Sequence, residues 1–204
     1  MANANTNIYF TQGGDTLTVA DGGTLNIESG GVLSYNSVGI SRKLSSLTAD
    51  GANFGGTGAN AEAVIGSGTI TIPADTLAAG DVVRFSAHVA IPTTVSTDTL
   101  RVRVRVGGLS GTAIFDSTAV DVANDDLFRL NGAITFRTVG ATGTAFSVVD
   151  GTATIATTAA VVEPQVTALS SLDTTAALTV VVTAVWSTQN ANVAKLQELN
   201  GYLN

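Results

Sequence analysis

Between residues 69 and 186 apolar and polar residues alternate one by one in run after run, and no intervening stretch carries a convincing helical spacing. LRVRVRV (100–106) alternates without a fault, which sets Leu100, Val102, Val104 and Val106 on one face of a strand and Arg101, Arg103 and Arg105 on the other. VVRFSAHVAI (82–91) places Val83, Phe85, Ala87, Val89 and Ile91 together, with Arg84, Ser86 and His88 opposite. FRLNGAITF (128–136) groups Phe128, Leu130, Ile134 and Phe136. ALTVVVTAVW (177–186) is apolar on both faces, the mark of a central strand, and Trp186 joins its inner side. TITIP (69–73) ends on a proline, and AIFDSTAVDV (113–122) reads as a bent or broken pair. FSVV and TATIA (146–149 and 152–156) flank Asp150-Gly151, a two-residue hairpin signal. The tail NVAKLQELNGYLN fits a helical face through Val193, Leu196, Leu199 and Leu203. It also fits an edge strand through Val193, Lys195, Gln197 and Leu199; a last strand is the preferred reading. Roughly eight strands without helices predict an all-β fold, an antiparallel β-sandwich of jelly-roll-like type over residues 69–204.

The N-terminal segment has a different texture. Residues 16–23 are TLTVADGG, residues 24–31 are TLNIESGG, and residues 32–39 are VLSYNSVG. Leu17, Leu25 and Leu33 recur at a fixed spacing, as do Val19, Ile27 and Tyr35, and each unit closes on glycine. Each unit therefore predicts a short strand and a tight turn, with the two apolar side chains on one face. Two such side chains per unit stabilise less than ordering its backbone costs, so the stripe is expected to bury itself against symmetry copies or a larger partner, the alternative being a local meander folded onto its own domain. Residues 1–47 are accordingly read as a β-repeat arm, and the Gly- and Ala-rich residues 48–68 as a linker.

Composition narrows the function. The formal charge of −7 argues against nucleic acid and against anionic membranes, which reward clustered lysine and arginine. There is no cysteine, which removes disulfides, thiolate metal sites and thiol catalysis. The N-terminus shows no basic, apolar leader, and no run approaches a membrane-spanning length, so synthesis in a cytoplasm is expected.

Candidate sites are few. His88 is the sole histidine and lies on the polar face with Arg84, and no G-x-S-x-G elbow accompanies it. Asp125-Asp126 diverge if extended, which favours a solvated turn over a carboxylate pair for glycoside hydrolysis. Neither a calcium loop nor a phosphate-cradling loop is present, although Asp121 and Asp125 could share a lone cation. No catalysis, cofactor or metal is expected. Arg101, Arg103 and Arg105 hold a third of the nine basic residues on one strand face. They read either as a solvated outer face or as a stripe docking on an acidic protein surface.

The Gly-punctuated phrase TLTVADGGTLNIESGGVL, the Ala/Gly/Thr-rich β-domain and the closing SSLDTTAALTVVVTAVWSTQNAN (170–192) together resemble virion structural proteins of tailed bacteriophages. Closest in kind are capsid decoration (cement) proteins. The resemblance implies a β-sandwich, often a homotrimer, on the capsid exterior, with an N-terminal arm that clamps neighbouring capsomers. The implied partners are the major capsid protein and further copies of the chain. Leu17, Val19, Leu25, Ile27, Leu33, Tyr35, Arg101, Arg103 and Arg105 are the contacts expected there. Tail-fibre and receptor-binding proteins share the texture and form the alternative; a fibre needs a longer shaft repeat and an aromatic platform for host glycan.

Overall fold

The structure, a computed structural model, describes residues 8–10, 17–19, 34–35, 38–39, 41–55, 60–95, 97–155, 158–188 and 191–204. The chain divides into two compact units, residues 1–40 and 41–204.

In the first unit β1 (Ile8–Phe10) pairs antiparallel with β2 (Leu17–Val19), Ile8 opposite Val19 and Phe10 opposite Leu17. A second short pair joins β3 (Ser34–Tyr35) to β4 (Val38–Gly39). The backbone of Leu17, Val19 and Tyr35 is thus in strands, as the repeat predicts for those units. Leu25, Ile27 and Leu33 lie outside the described residues.

The second unit opens with β5 (Arg42–Ser46) and β6 (Phe54–Gly55), followed by β7 (Ala63–Ile72), β8 (Val82–Thr93), β9 (Thr99–Val106) and β10 (Thr112–Asp116). It continues through β11 (Val120–Asp121), β12 (Asp126–Thr138), β13 (Gly143–Ile155), β14 (Thr158–Leu172), β15 (Leu178–Trp186) and β16 (Val193–Leu203). The small sheet runs β10-β9-β15-β7 with β11 also on β9, and the large sheet runs β14-β13-β12-β8-β16-β5 with β6 also on β16. Every described pairing is antiparallel.

With β5/β6 and β10/β11 each counted as one position and the β13–β14 hairpin set aside, the sheets read 1-8-3-6 and 2-7-4-5. That is the strand order of a jelly roll, in which successive strands cross between two sheets around one core. The β13–β14 hairpin extends the large sheet beyond its sixth position. Alternation builds the core directly: Leu100, Val102, Val104 and Val106 of β9 are buried, as are Val83, Phe85, Ala87, Val89 and Ile91 of β8. Phe128, Leu130, Ile134 and Phe136 of β12 join them in a single cluster. β15 lies between β9 and β7, the central place its two apolar faces predict.

Trp186 is the sole tryptophan and only 1% exposed, with its indole N–H directed at the Phe54 carbonyl. Its emission is expected to be blue-shifted and resistant to acrylamide until the sandwich unfolds. Red-shifted, quenchable emission from the native protein would contradict this packing.

Three sequence expectations are corrected. Residues 42–46, assigned to the arm, form β5 and pair with the last strand, Arg42 opposite Leu203. The linker expected over 48–68 contains β6 and the first half of β7, while Gly51 N–H donates to Leu196 O at 2.8 Å. Gly55 reflects close backbone approach rather than a spacer: an added Cβ there would sit 1.7 Å from the O of Asn192, the residue that precedes β16. Asp150-Gly151 is not a turn, because β13 runs through it unbroken from Gly143 to Ile155. Gly151 is there because the Phe115 ring occupies the space its side chain would take, 2.3 Å from an added Cβ. The tail is the strand β16; a bulge between Leu196 and Glu198 shifts its inward side chains, which explains the mixed spacing of its leucines.

Candidate functional site

On the outer face of the small sheet, Arg101, Arg103 and Arg105 do stand in one row, as alternation requires. Two carboxylates from neighbouring segments interleave with them. Asp116, at the end of β10, accepts from Arg101 Nε at 2.6 Å and Arg103 Nε at 2.9 Å, and also meets Arg101 Nη2. Glu62, just before β7, accepts from Arg105 Nε at 2.6 Å and Arg105 Nη2 at 2.9 Å, and also meets Arg103 Nη1. Thr183 of β15 donates its hydroxyl to Glu62 at 2.6 Å, and Arg105 Nη1 reaches Gly111 O at 2.9 Å.

The result is an alternating ladder, Arg101–Asp116–Arg103–Glu62–Arg105, across three strands. The Arg105 hydrogen bond, opposed by burial and reinforced by Thr183 and the Arg103 charge, holds Glu62 down at about 2. Burial pushes Asp116 up, but its bonds from Arg101 and Arg103 and from the Thr118 N–H outweigh this and hold it at about 2. Hydrogen bonding to the same carboxylates raises Arg101 and Arg105. The stripe therefore spends most of its charge inside the domain. Gln165 of β14 completes the clamp, accepting the Asp116 N–H at 2.8 Å and donating to Asp116 O at 2.6 Å, and so ties the edge of one sheet to the edge of the other.

Further cations stand on the large sheet. Register places one cross-strand row over six strands of the large sheet: Lys43, Tyr202, Arg84, Ala133, Val148 and Val166. Beside it, Phe146 pairs with Ala168 and Thr135, and Arg129 pairs with His88. Among the described residues Lys43, Arg84, Arg129 and Arg137 have no ion-pair partner; Arg137 instead stands 6.0 Å over the Phe146 ring. Val166 is 58% exposed, Val148 39%, Tyr202 39% and Phe146 36%, so the large apolar side chains of this row and its neighbour are in solvent. An exposed apolar cluster rimmed by charge is the composition of an interaction surface. Arg84 was visible in sequence as outward-facing, but its alignment with Val148 and Val166 depends on strand neighbours that are distant in sequence.

His88 is on this face too. Its Nδ1 is 3.1 Å from Glu198 Oε2, while Glu198 Oε1 accepts from Ser86 at 2.8 Å and Asn200 at 2.9 Å. The Ser86 hydroxyl, with His88 and Asn200 adding and burial opposing, keeps Glu198 below the usual carboxylate range. The carboxylate sits between hydroxyl and imidazole, whereas nucleophile activation requires the imidazole on the hydroxyl.

Asp126, expected in a solvated turn, is buried and accepts the Ala123 N–H at 2.6 Å; Asp125 beside it is exposed at φ 68° and shapes the turn. Asp98 is likewise buried, against the Asn192 amide at 2.9 Å. These are loop-fixing carboxylates, and among the described residues no group of acidic or histidine side chains is placed to hold a metal.

No family model matches the chain, and no curated protein matches it. Among solved structures it is similar to a chain of the infectious bursal disease virus Gx strain, at 16% identity and a TM-score of 0.28. That match covers 80% of this chain and 32% of the viral one, so the chain spans about a third of that length. It is also similar to the CBM2 module of the evolved Dit of Lactobacillus casei BL23 phage J-1, at 12% identity and a TM-score of 0.30, over 80% of this chain and 95% of that one. The jelly-roll assignment rests on strand order and not on these likenesses.

Proposed function

We propose that this chain is a non-enzymatic structural protein of a tailed-phage virion, bound to the outside of the capsid as a decoration protein. The observation that carries the reading is the outer face of the large sheet, where cations with no ion-pair partner among the described residues flank exposed apolar side chains. A decoration protein needs a surface of this kind and no reaction centre. The repeat arm and its short hairpins suit self-association, as a trimer, or a clamp on neighbouring capsomers.

The mechanism is linkage. A chain that binds the assembled shell and not its dissociated subunits stabilises the shell by about 2.7 kcal/mol per site when its free concentration is a hundred times Kd. Many sites on one shell add these contributions, so a modest affinity protects a particle under internal pressure.

The test uses capsids of the encoding phage prepared without this chain. Purified protein is expected to co-sediment with them, saturate at a fixed copy number, and raise the temperature at which the shells release DNA. Co-sedimentation with tails alone would place the protein in the tail instead, and retention on host cell-wall glycan would favour receptor binding.

A further inference from the structure

We propose that the outer face of the large sheet docks onto an acidic protein surface with an apolar centre, through the row from Lys43 to Val166 and the flanking Arg129 and Arg137. The inference rests on the virion reading above and names the chemistry of the partner surface within it.

Charge complementarity selects the partner. The chain as a whole carries −7, yet on this face the described carboxylates are Asp150 and Glu198, with Asp50 reaching Lys195 at its margin. Glu198 is already occupied by Ser86, His88 and Asn200. Lys43, Arg84, Arg129 and Arg137 therefore present a local positive field that the Arg101–Arg105 ladder, matched internally, does not. Size agrees as well. Five strands of 11 to 15 residues spaced about 4.8 Å apart, with the five-residue β5 at the edge, give a face of up to about 24 Å by 33 Å, on the scale of the roughly 800 Å² that one partner contributes to a stable interface.

The apolar members decide between classes of partner. Val148 and Val166 are exposed neighbours across β13 and β14, and Tyr202 lies between Lys43 and Arg84 in the same row. Nucleic acid offers phosphates but little to cover adjacent valines, and the net charge repels any long polyanion. Arg137 stands 6.0 Å over the Phe146 ring, so one face of that ring already has a cationic partner. Strand addition at the edge is blocked in its middle: the register of β14 breaks opposite Val149–Gly151, where Pro164 supplies no N–H donor. Docking by the face remains.

Purified virions provide the test, with zero-length carbodiimide cross-linking and hydroxyl-radical footprinting read by mass spectrometry against the free protein. Lys43 is expected to cross-link to an Asp or Glu of another virion protein, with Tyr202 and Phe146 protected at least fivefold. In competition with wild type for capsids, Arg84→Glu/Arg129→Glu is expected to bind about a hundredfold more weakly, since like charges replace complementary ones. Val166→Asp tests the apolar centre separately. Unchanged Trp186 emission and melting temperature show that both variants are folded.

Equal reactivity of Lys43 and Tyr202 in virions and free protein, or undiminished binding of the double variant, overturns the inference while leaving the virion reading intact. Cross-links from Lys43 to a tail protein relocate the chain and retain the chemistry of the face. Retention of the wild type, but not the double variant, on duplex DNA or polyglycerol phosphate at physiological salt assigns the face to an anionic polymer and overturns it. Absence of the chain from virions overturns both.

Discussion

Replacing Gly151 by valine is expected to destabilise the sandwich by about 3 kcal/mol or more, as overpacking of a closed core does. The position lies mid-strand in β13, where a β-branched residue would ordinarily be favoured. The obstruction is specific: an added Cβ would stand 2.3 Å from Phe115 Cζ and 2.5 Å from its Cε2, with Leu130 Cδ2 at 3.3 Å. Phe115 is fully buried between the sheets, in an interior that close packing leaves with few voids. Chemical denaturation followed by Trp186 emission measures the loss. Phe115→Leu combined with Gly151→Ala should recover part of what Gly151→Ala alone removes, because the shorter side chain vacates the space. A Gly151→Val protein within about 0.5 kcal/mol of wild type, the range of ordinary surface changes, would contradict the packing.

Glu62→Gln is expected to cost about 3 kcal/mol at neutral pH, at the low end for breaking a desolvated pair because the group keeps some solvent contact. The substitution leaves Arg105, only 19% exposed, without its carboxylate, and Arg103, only 13% exposed, with Asp116 alone. The pH dependence follows from the direction of the shifts. Glu62 and Asp116 are depressed in the folded state to about 2, from ordinary values of 4.5 and 3.8. A carboxylate depressed on folding contributes its stability fully above its unfolded value and loses it as pH falls through the folded one. Wild-type stability should therefore be flat near neutrality and decline from about pH 5 toward pH 2. Glu62→Gln should start lower, decline less steeply, and converge on wild type at the acid end. Parallel curves separated by a constant offset would show that Glu62 acts through packing and not through charge.

Strand alternation made the jelly-roll domain legible because one face of each strand had to be apolar. The inner residues of β8, β9, β12 and β15 are those that period-two reading selects. Hairpin chemistry misled at Asp150-Gly151, since glycine beside aspartate signals a turn equally well when it merely makes room for an aromatic ring from the other sheet. The boundary of the sandwich was set too late because β5 is short and half-exposed, and its pairing with β16 joins residues nearly the whole domain apart.

The arginine stripe illustrates a different limit. Outward placement of Arg101, Arg103 and Arg105 followed from sequence, but their neutralisation did not. Asp116 arrives through the β9–β10 hairpin, where register opposite Arg103 offered a local signal. Glu62 arrives from the residue that precedes β7, a strand two places away in the sheet, and no local pattern announces it. Conversely, the row from Lys43 to Val166 draws one residue from each of six strands, so no window of sequence contains it. A surface assembled in this way becomes visible only when strand order is known.

The most direct measurement is a sub-nanometre reconstruction of the virion that carries this chain. Density for the two-sheet domain is expected on the outer surface of the shell, with the outer face of the large sheet turned toward a capsid protein and the Arg101–Arg105 ladder turned away. A shell without this density would contradict the proposed role, and a domain seated with the large sheet facing solvent would contradict the docking face.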